Sequence, residues 1–101
     1  MLFVDDAYLI SKPKHATVMR GSNVTLSCRS DKHDVNWRFT AFDNSVSSRV
    51  IYANGTLYKR NSYVSYNDTL YLYLVSKQDT GIYRCEDRDE AAFAELQVLG
   101  E

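Results

Sequence analysis

The chain has 101 residues, twelve basic and thirteen acidic side chains, a formal net charge of -1, 45% hydrophobic and 13% aromatic residues. This length accommodates one domain around one core. Near-neutral charge without a polybasic run excludes the electrostatic footprint of a nucleic-acid or anionic-membrane binder.

Met1-Leu2-Phe3-Val4 meets Asp5 and Asp6 at once, too short an apolar run for a cleavable signal, and no apolar run reaches the roughly 18 residues of a membrane span. The expectation is a single domain over residues 1–101, with its core in residues 8–98, excised from a larger extracellular protein. Tyr8 to Lys12 reads as extended as far as Pro13, which removes a ladder donor and marks a kink at a sheet edge. His15 to Met19 is a second extended piece, and Arg20-Gly21-Ser22-Asn23 is a turn by composition. Val24, Leu26 and Cys28 then alternate with Thr25 and Ser27, a half-buried strand. Arg29 to Asp34 is polar and loop-like. Val35, Trp37 and Phe39 alternate with Asn36 and Arg38, again one apolar face.

Thr40 to Ser48 reads as a loop. Arg49 to Ala53 is a strand, and Asn54-Gly55 a type I′ hairpin signal leading into Thr56 to Lys59. Arg60 to Tyr66 alternates weakly. Asn67-Asp68 turns into Thr69 to Leu74, where strict period-2 patterning directs Leu70, Leu72 and Leu74 inward. In Asp79-Thr80-Gly81-Ile82-Tyr83-Arg84-Cys85, Asp79 and Gly81 supply turn chemistry; Tyr83 and Cys85 face the core while Ile82 and Arg84 face out. Glu86 to Glu90 forms a charged hairpin tip, and Ala92, Ala94, Leu96 and Val98 alternate with Phe93, Glu95 and Gln97 in a last strand. Many short strands with turns at regular intervals give an all-β antiparallel sandwich on pattern alone.

The order Cys28, Trp37, Tyr83, Cys85 resembles the immunoglobulin superfamily from about Gly21 to Val98. The resemblance implies a two-sheet Greek-key sandwich, strands A, B, E and D against G, F, C, C′ and a marginal C″. It implies an inter-sheet disulfide between Cys28 and Cys85, a core role for Trp37, and a tyrosine corner at Tyr83. It further implies that Asp79 pairs with Arg60 at the start of strand D. The separation of the cysteines is that of an intermediate-set or compact variable-like member. Strand G departs from antigen-receptor domains, reading Ala91-Ala92-Phe93-Ala94-Glu95 where they carry a Gly-x-Gly bulge.

Chemistry is sparse. Both cysteines fall at inward positions, which removes a thiolate nucleophile, and His15 and His33 join no acid/base or metal-ligand set. The chain therefore reads as non-catalytic, with no cofactor and no metal. Three N-glycosylation acceptors, at Asn23, Asn54 and Asn67, stand where chance gives about one, pointing to an extracellular location. None falls on strands F or G. The outward positions of strands C, F and G are Asn36, Arg38, Arg84, Glu86, Phe93, Glu95 and Gln97, an aromatic among arginines, the composition of an interface anchor. On the opposite sheet, Tyr71 and Tyr73 are expected to pack across strands beside Thr25 and Ser27. The expected function is recognition of a protein ligand through the G-F-C face by a cell-surface receptor or adhesion protein, homodimerisation included. A structural spacer in a tandem array and an innate immune-type variable domain are the alternatives. Neither nucleic acid nor direct membrane insertion is expected.

Overall fold

The computed structural model describes residues 9–31, 34–42 and 48–100. His33, most of the loop expected from Thr40 to Ser48, and the first eight residues lie outside the described residues.

Eleven strands are formed among them: β1 (Leu9–Ser11), β2 (Ala16–Met19), β3 (Val24–Leu26), β4 (Arg29–Ser30), β5 (Asn36–Ala41), β6 (Arg49–Ala53), β7 (Thr56–Leu57), β8 (Ser62–Val64), β9 (Leu70–Leu72), β10 (Gly81–Glu86) and β11 (Ala91–Leu99). One turn of 3-10 helix, Lys77–Asp79, precedes β10. A six-stranded sheet runs β2-β11-β10-β5-β6-β7, a three-stranded sheet runs β3-β9-β8, and β1 pairs with β4. In the family lettering, β3, β9 and β8 are B, E and D, while β11, β10, β5, β6 and β7 are G, F, C, C′ and C″. The C″ strand has only two residues.

The kink at Pro13 is a change of partner. Before it, β1 pairs antiparallel with β4; after it, β2 joins β11 in parallel, Ala16 opposite Leu96 and Val18 opposite Val98. Strand A is thus shared between two sheets, and its second half is the parallel exception in an antiparallel sandwich.

The core is built from the inward rows of both sheets. Leu26, Cys28, Trp37, Ile51, Leu70, Leu72, Val75, Tyr83, Cys85 and Leu96 are buried there. Cys28 and Cys85 form the disulfide, Cα–Cα 6.5 Å, and Trp37 is the cross-strand neighbour of Cys85. The Trp37 indole N–H donates to the Asp68 carbonyl at 3.0 Å, which satisfies the one polar atom of a buried ring. At the β6–β7 turn Asn54 and Gly55 take φ of 51° and 80°, the two left-handed residues of a type I′ hairpin.

Three expectations are corrected. Leu74 does not point inward: the pattern breaks after β9, Leu74 takes φ of 48° and is 74% exposed, and Val75 takes the core position. Gly81 is not a turn residue. It opens β10, where a Cβ would stand 2.4 Å from the Thr40 carbonyl oxygen and 2.6 Å from the Phe39 ring, so the position requires absence of a side chain rather than freedom of φ. The turn before it is made by Asp79, whose Oδ2 accepts the Ser76 N–H at 2.8 Å. Arg60, finally, is not the partner of Asp79. Lys59 Nζ lies 2.6 Å from Asp79 Oδ1, Asn61 Nδ2 donates to Oδ2 at 3.3 Å, and Arg60 stands exposed in the turn between them. An extended approach puts alternate residues on one side, so Lys59 and Asn61 reach the carboxylate and Arg60 faces away.

Candidate functional site

The three long central strands of the six-stranded sheet set the outward residues in register. Arg84 of β10 pairs with Phe93 of β11 on one side and with Arg38 of β5 on the other. A bulge between β5 and β6 brings Val50 opposite Arg38, which extends the row to a fourth strand. In the next rows, Ile82 faces Thr40 and Glu95, and Glu86 faces Asn36 and Ala91.

Glu86 organises the charges. Its Oε1 lies 3.1 Å from Arg38 Nε and its Oε2 lies 3.0 Å from Arg84 Nη2, so one carboxylate bridges two guanidinium groups. Arg84 also lies over the Phe93 ring, its guanidinium carbon 5.4 Å from the centroid, a cation–π arrangement. Phe93 is 54% exposed. The result is a fixed aromatic face beside one net positive charge, with half-buried Ile82 and Val50 completing an apolar margin.

Glu95 and Gln97 are exposed on β11, and the Glu95 N–H donates to His15 Nδ1 at 2.8 Å. This tie between β11 and the segment before β2 gives His15 a role in strand pairing. The seven residues expected to face outward, Asn36, Arg38, Arg84, Glu86, Phe93, Glu95 and Gln97, lie on the outer side of the same sheet. Val50 was missed because its position depends on the bulge; Ile82 was legible as outward from alternation alone.

Behind the face lies the framework that holds β10. The Tyr83 hydroxyl donates to the Asp79 carbonyl at 2.7 Å, closing the corner that leads into the strand. Burial, then the neighbouring Asp79 charge, push its phenol far above the ordinary 10. At the far end, Asp87 Oδ1 accepts the N–H groups of Asp89 and Glu90 at 2.9 and 2.8 Å, which builds the short β10–β11 tip. No group of three or more metal-ligating side chains occurs among the described residues, and among them no helix is long and apolar enough to cross a membrane.

The sequence matches the family model described as an immunoglobulin domain over residues 8–87. No curated protein sequence matches it. The fold is similar to the RIG-5 IG1 domain, solved as a homodimer, with TM-score 0.73 and 17% identity over 93% of this chain and 98% of that one. It is similar to a chain of the complex of Dpr1 IG1 bound to DIP-eta IG1, with TM-score 0.67 and 17% identity over 93% of this chain and 96% of that one. A chimeric titin Z1Z2 tandem also matches, with TM-score 0.73 and 17% identity over 93% of this chain and 50% of that one. Disulfide, core tryptophan, tyrosine corner, sheet order and family match agree: the chain belongs to the immunoglobulin domain family.

Proposed function

We propose that this chain is a single, non-catalytic recognition domain of an extracellular receptor or adhesion protein, and that it binds another immunoglobulin-type domain, its own copy included, through the outer face of β5, β10 and β11. The observation that carries the reading is the row Arg38-Arg84-Phe93 with Glu86 bridging both arginines, an aromatic anchor already held in place before any partner arrives.

Two further observations support it. The acceptor asparagines lie away from β10 and β11: Asn23 precedes β3, Asn54 is in the β6–β7 turn and Asn67 lies between β8 and β9. Glycans at those positions would crowd the smaller sheet and the far edge of the larger one while leaving Phe93 clear. The similar RIG-5 IG1 domain forms a homodimer, and Dpr1 IG1 binds a second domain of the same kind. The test is binding of the wild type, Phe93→Ser and Arg84→Glu to an array of secreted immunoglobulin-type domains that includes this chain; loss of the captured partner by both variants is expected, and unchanged binding would remove the face assignment.

A spacer role in a tandem array is the second reading. It is favoured by the likeness to a titin tandem and by the exposed apolar residues Met19, Leu74 and Leu99. A spacer would lose nothing through Phe93→Ser, so the same array separates the two.

A further inference from the structure

Three aromatic rings on the outer side of the smaller sheet are ordered without serving the core. Tyr63 of β8 stacks on Tyr71 and on Tyr73, with centroids 4.7 and 5.8 Å apart and each pair within 12° of parallel. Tyr63 and Tyr73 are exposed and Tyr71 is half-buried. In the sheet β9 lies between β8 and β3. Tyr63 therefore meets Tyr71 and Tyr73 from the β8 side, and β3 borders β9 on the other. There Thr25 is the direct partner of Tyr71, and the pairing of Val24 with Leu72 places Asn23 beside Tyr73.

Asn23 is held in that place. Its Oδ1 accepts the Leu74 N–H at 3.1 Å, which fixes the carboxamide through its oxygen and leaves Nδ2 as the end that a sugar would occupy. Leu74 takes a left-handed backbone, φ 48°, just past the end of β9, where the β ladder would otherwise continue. Asn23-Val24-Thr25 is an N-glycosylation acceptor with both Asn23 and Thr25 exposed. Of the three acceptors in the chain, this is the one set beside a stacked ring system.

We infer that Asn23 carries an N-glycan whose innermost N-acetylglucosamine packs on the tyrosine stack, so that Tyr73 and Tyr71 form a carbohydrate platform for a sugar attached to their own chain. A pyranose has a face of C–H groups and a rim of hydroxyls. Laying that face on a tyrosine ring removes apolar area from water from both partners while the hydroxyls stay solvated. The attachment is a displacement at the anomeric carbon of a lipid-linked oligosaccharide. Nδ2 of Asn23 bonds to C1 of the terminal N-acetylglucosamine, the C1–O bond to the lipid diphosphate breaks, the diphosphate leaves with the bonding pair, and one amide proton passes to base. The glycan then covers the β3-β9-β8 face and leaves the six-stranded sheet as the protein-binding side. The inference rests on the extracellular reading above.

The chain is expressed in a secretory eukaryotic host, and occupancy of the three asparagines is read by mass spectrometry of glycopeptides. Thermal unfolding is then compared for wild type, Asn23→Gln, Tyr73→Ser and the double variant. Occupied Asn23 is expected, with a fall in Tm for Asn23→Gln of roughly 4–8 °C, the scale of one such contact in a domain of this size. Enzymatic trimming to the single innermost sugar should preserve the wild-type Tm. In the Tyr73→Ser background, Asn23→Gln should change Tm far less. Sugar protons of the wild-type glycoprotein should be shifted upfield by the ring current, a readout independent of whether Tyr73→Ser folds well. Equal effects of Asn23→Gln in both backgrounds, or absence of the ring-current shift, would overturn the inference. Asn54 occupied with Asn23 bare would overturn it alone; all three bare would overturn the extracellular reading with it.

Discussion

Arg84 and Phe93 face each other across β10 and β11, the guanidinium carbon 5.4 Å from the ring centroid, and Nη2 of the same guanidinium lies 3.0 Å from Glu86 Oε2. Surface ion pairs of this exposure contribute about 0–1 kcal/mol to folding. What the pairing does instead is restrict two rotamer-rich side chains, and a partner that binds them loses less entropy. Removing Glu86 should therefore weaken recognition without destabilising the fold. Glu86→Gln is expected to lower affinity for the captured partner while its stability in urea stays within about 0.5 kcal/mol of wild type.

Gly81 sets how closely β10 approaches β5. Gly81→Ala places a Cβ against the Thr40 carbonyl and the Phe39 ring, and backbone on that side cannot swing away as a side-chain tip would. A loss of about 1–3 kcal/mol is expected from overpacking, measured as a lower urea midpoint with unchanged m-value.

Lys59 and Arg60 separate two accounts of the buried Asp79. Lys59→Ala leaves a carboxylate that is 4% exposed without its ammonium partner and should cost about 3 kcal/mol. Arg60→Ala should cost less than about 0.5 kcal/mol, as for an exposed turn residue. Chemical denaturation of the two variants side by side decides the matter, and the reverse ranking would restore the pairing with Arg60.

Glu90 gives the fold an acid-sensitive clasp. Its Oε1 accepts the Leu9 N–H at 2.6 Å and its Oε2 pairs with Lys12 at 3.1 Å, which fastens β1 to the β10–β11 tip. The Leu9 hydrogen bond first, and Lys12 second, hold its carboxyl below the ordinary 4.5. A depressed folded-state value means that the contribution is complete above 4.5 and lost as pH falls through the lower value. Wild type and Glu90→Gln should therefore differ in Tm at neutral pH and converge in acid. A gap that does not narrow as pH falls below 4.5 would contradict the assignment.

Tyr83 should be silent in an alkaline titration of the folded protein. Its value is raised, so the neutral phenol is the form the fold stabilises, and that contribution is present below 10 and lost as pH rises through the folded value. Spectrophotometric titration should show one of the eight tyrosines ionising only with unfolding. Tyr83→Phe, which strands the Asp79 carbonyl, should cost about 1–2 kcal/mol.

The parts of this structure that sequence made legible are those in which one residue type admits one geometry. Cys28, Trp37, Tyr83 and Cys85 announce the sandwich because inward alternation and their order leave little freedom. Asn54-Gly55 announces its hairpin because two successive positive φ angles need such residues. Lys59 could not be told from Arg60, since both are long cations and the choice rests on the phase of an irregular approach to β8. Leu74 broke its pattern because a left-handed leucine has no compositional signal, and the Asn23 contact that accompanies it is made across strands. Val50 reached the face through a bulge, and β2 found β11 through a tertiary pairing; neither is encoded locally.

Recognition through Phe93 is tested most directly by a binding comparison on the array of secreted immunoglobulin-type domains, this chain among them, using wild type, Phe93→Ser and Tyr66→Ser. Tyr66 is 95% exposed between β8 and β9, away from the face. The affinity of the captured partner is expected to fall about 30-fold or more with Phe93→Ser, the scale of an interface hot spot, and to be unchanged with Tyr66→Ser. A partner bound equally by wild type and Phe93→Ser, and lost with Tyr66→Ser, would contradict it.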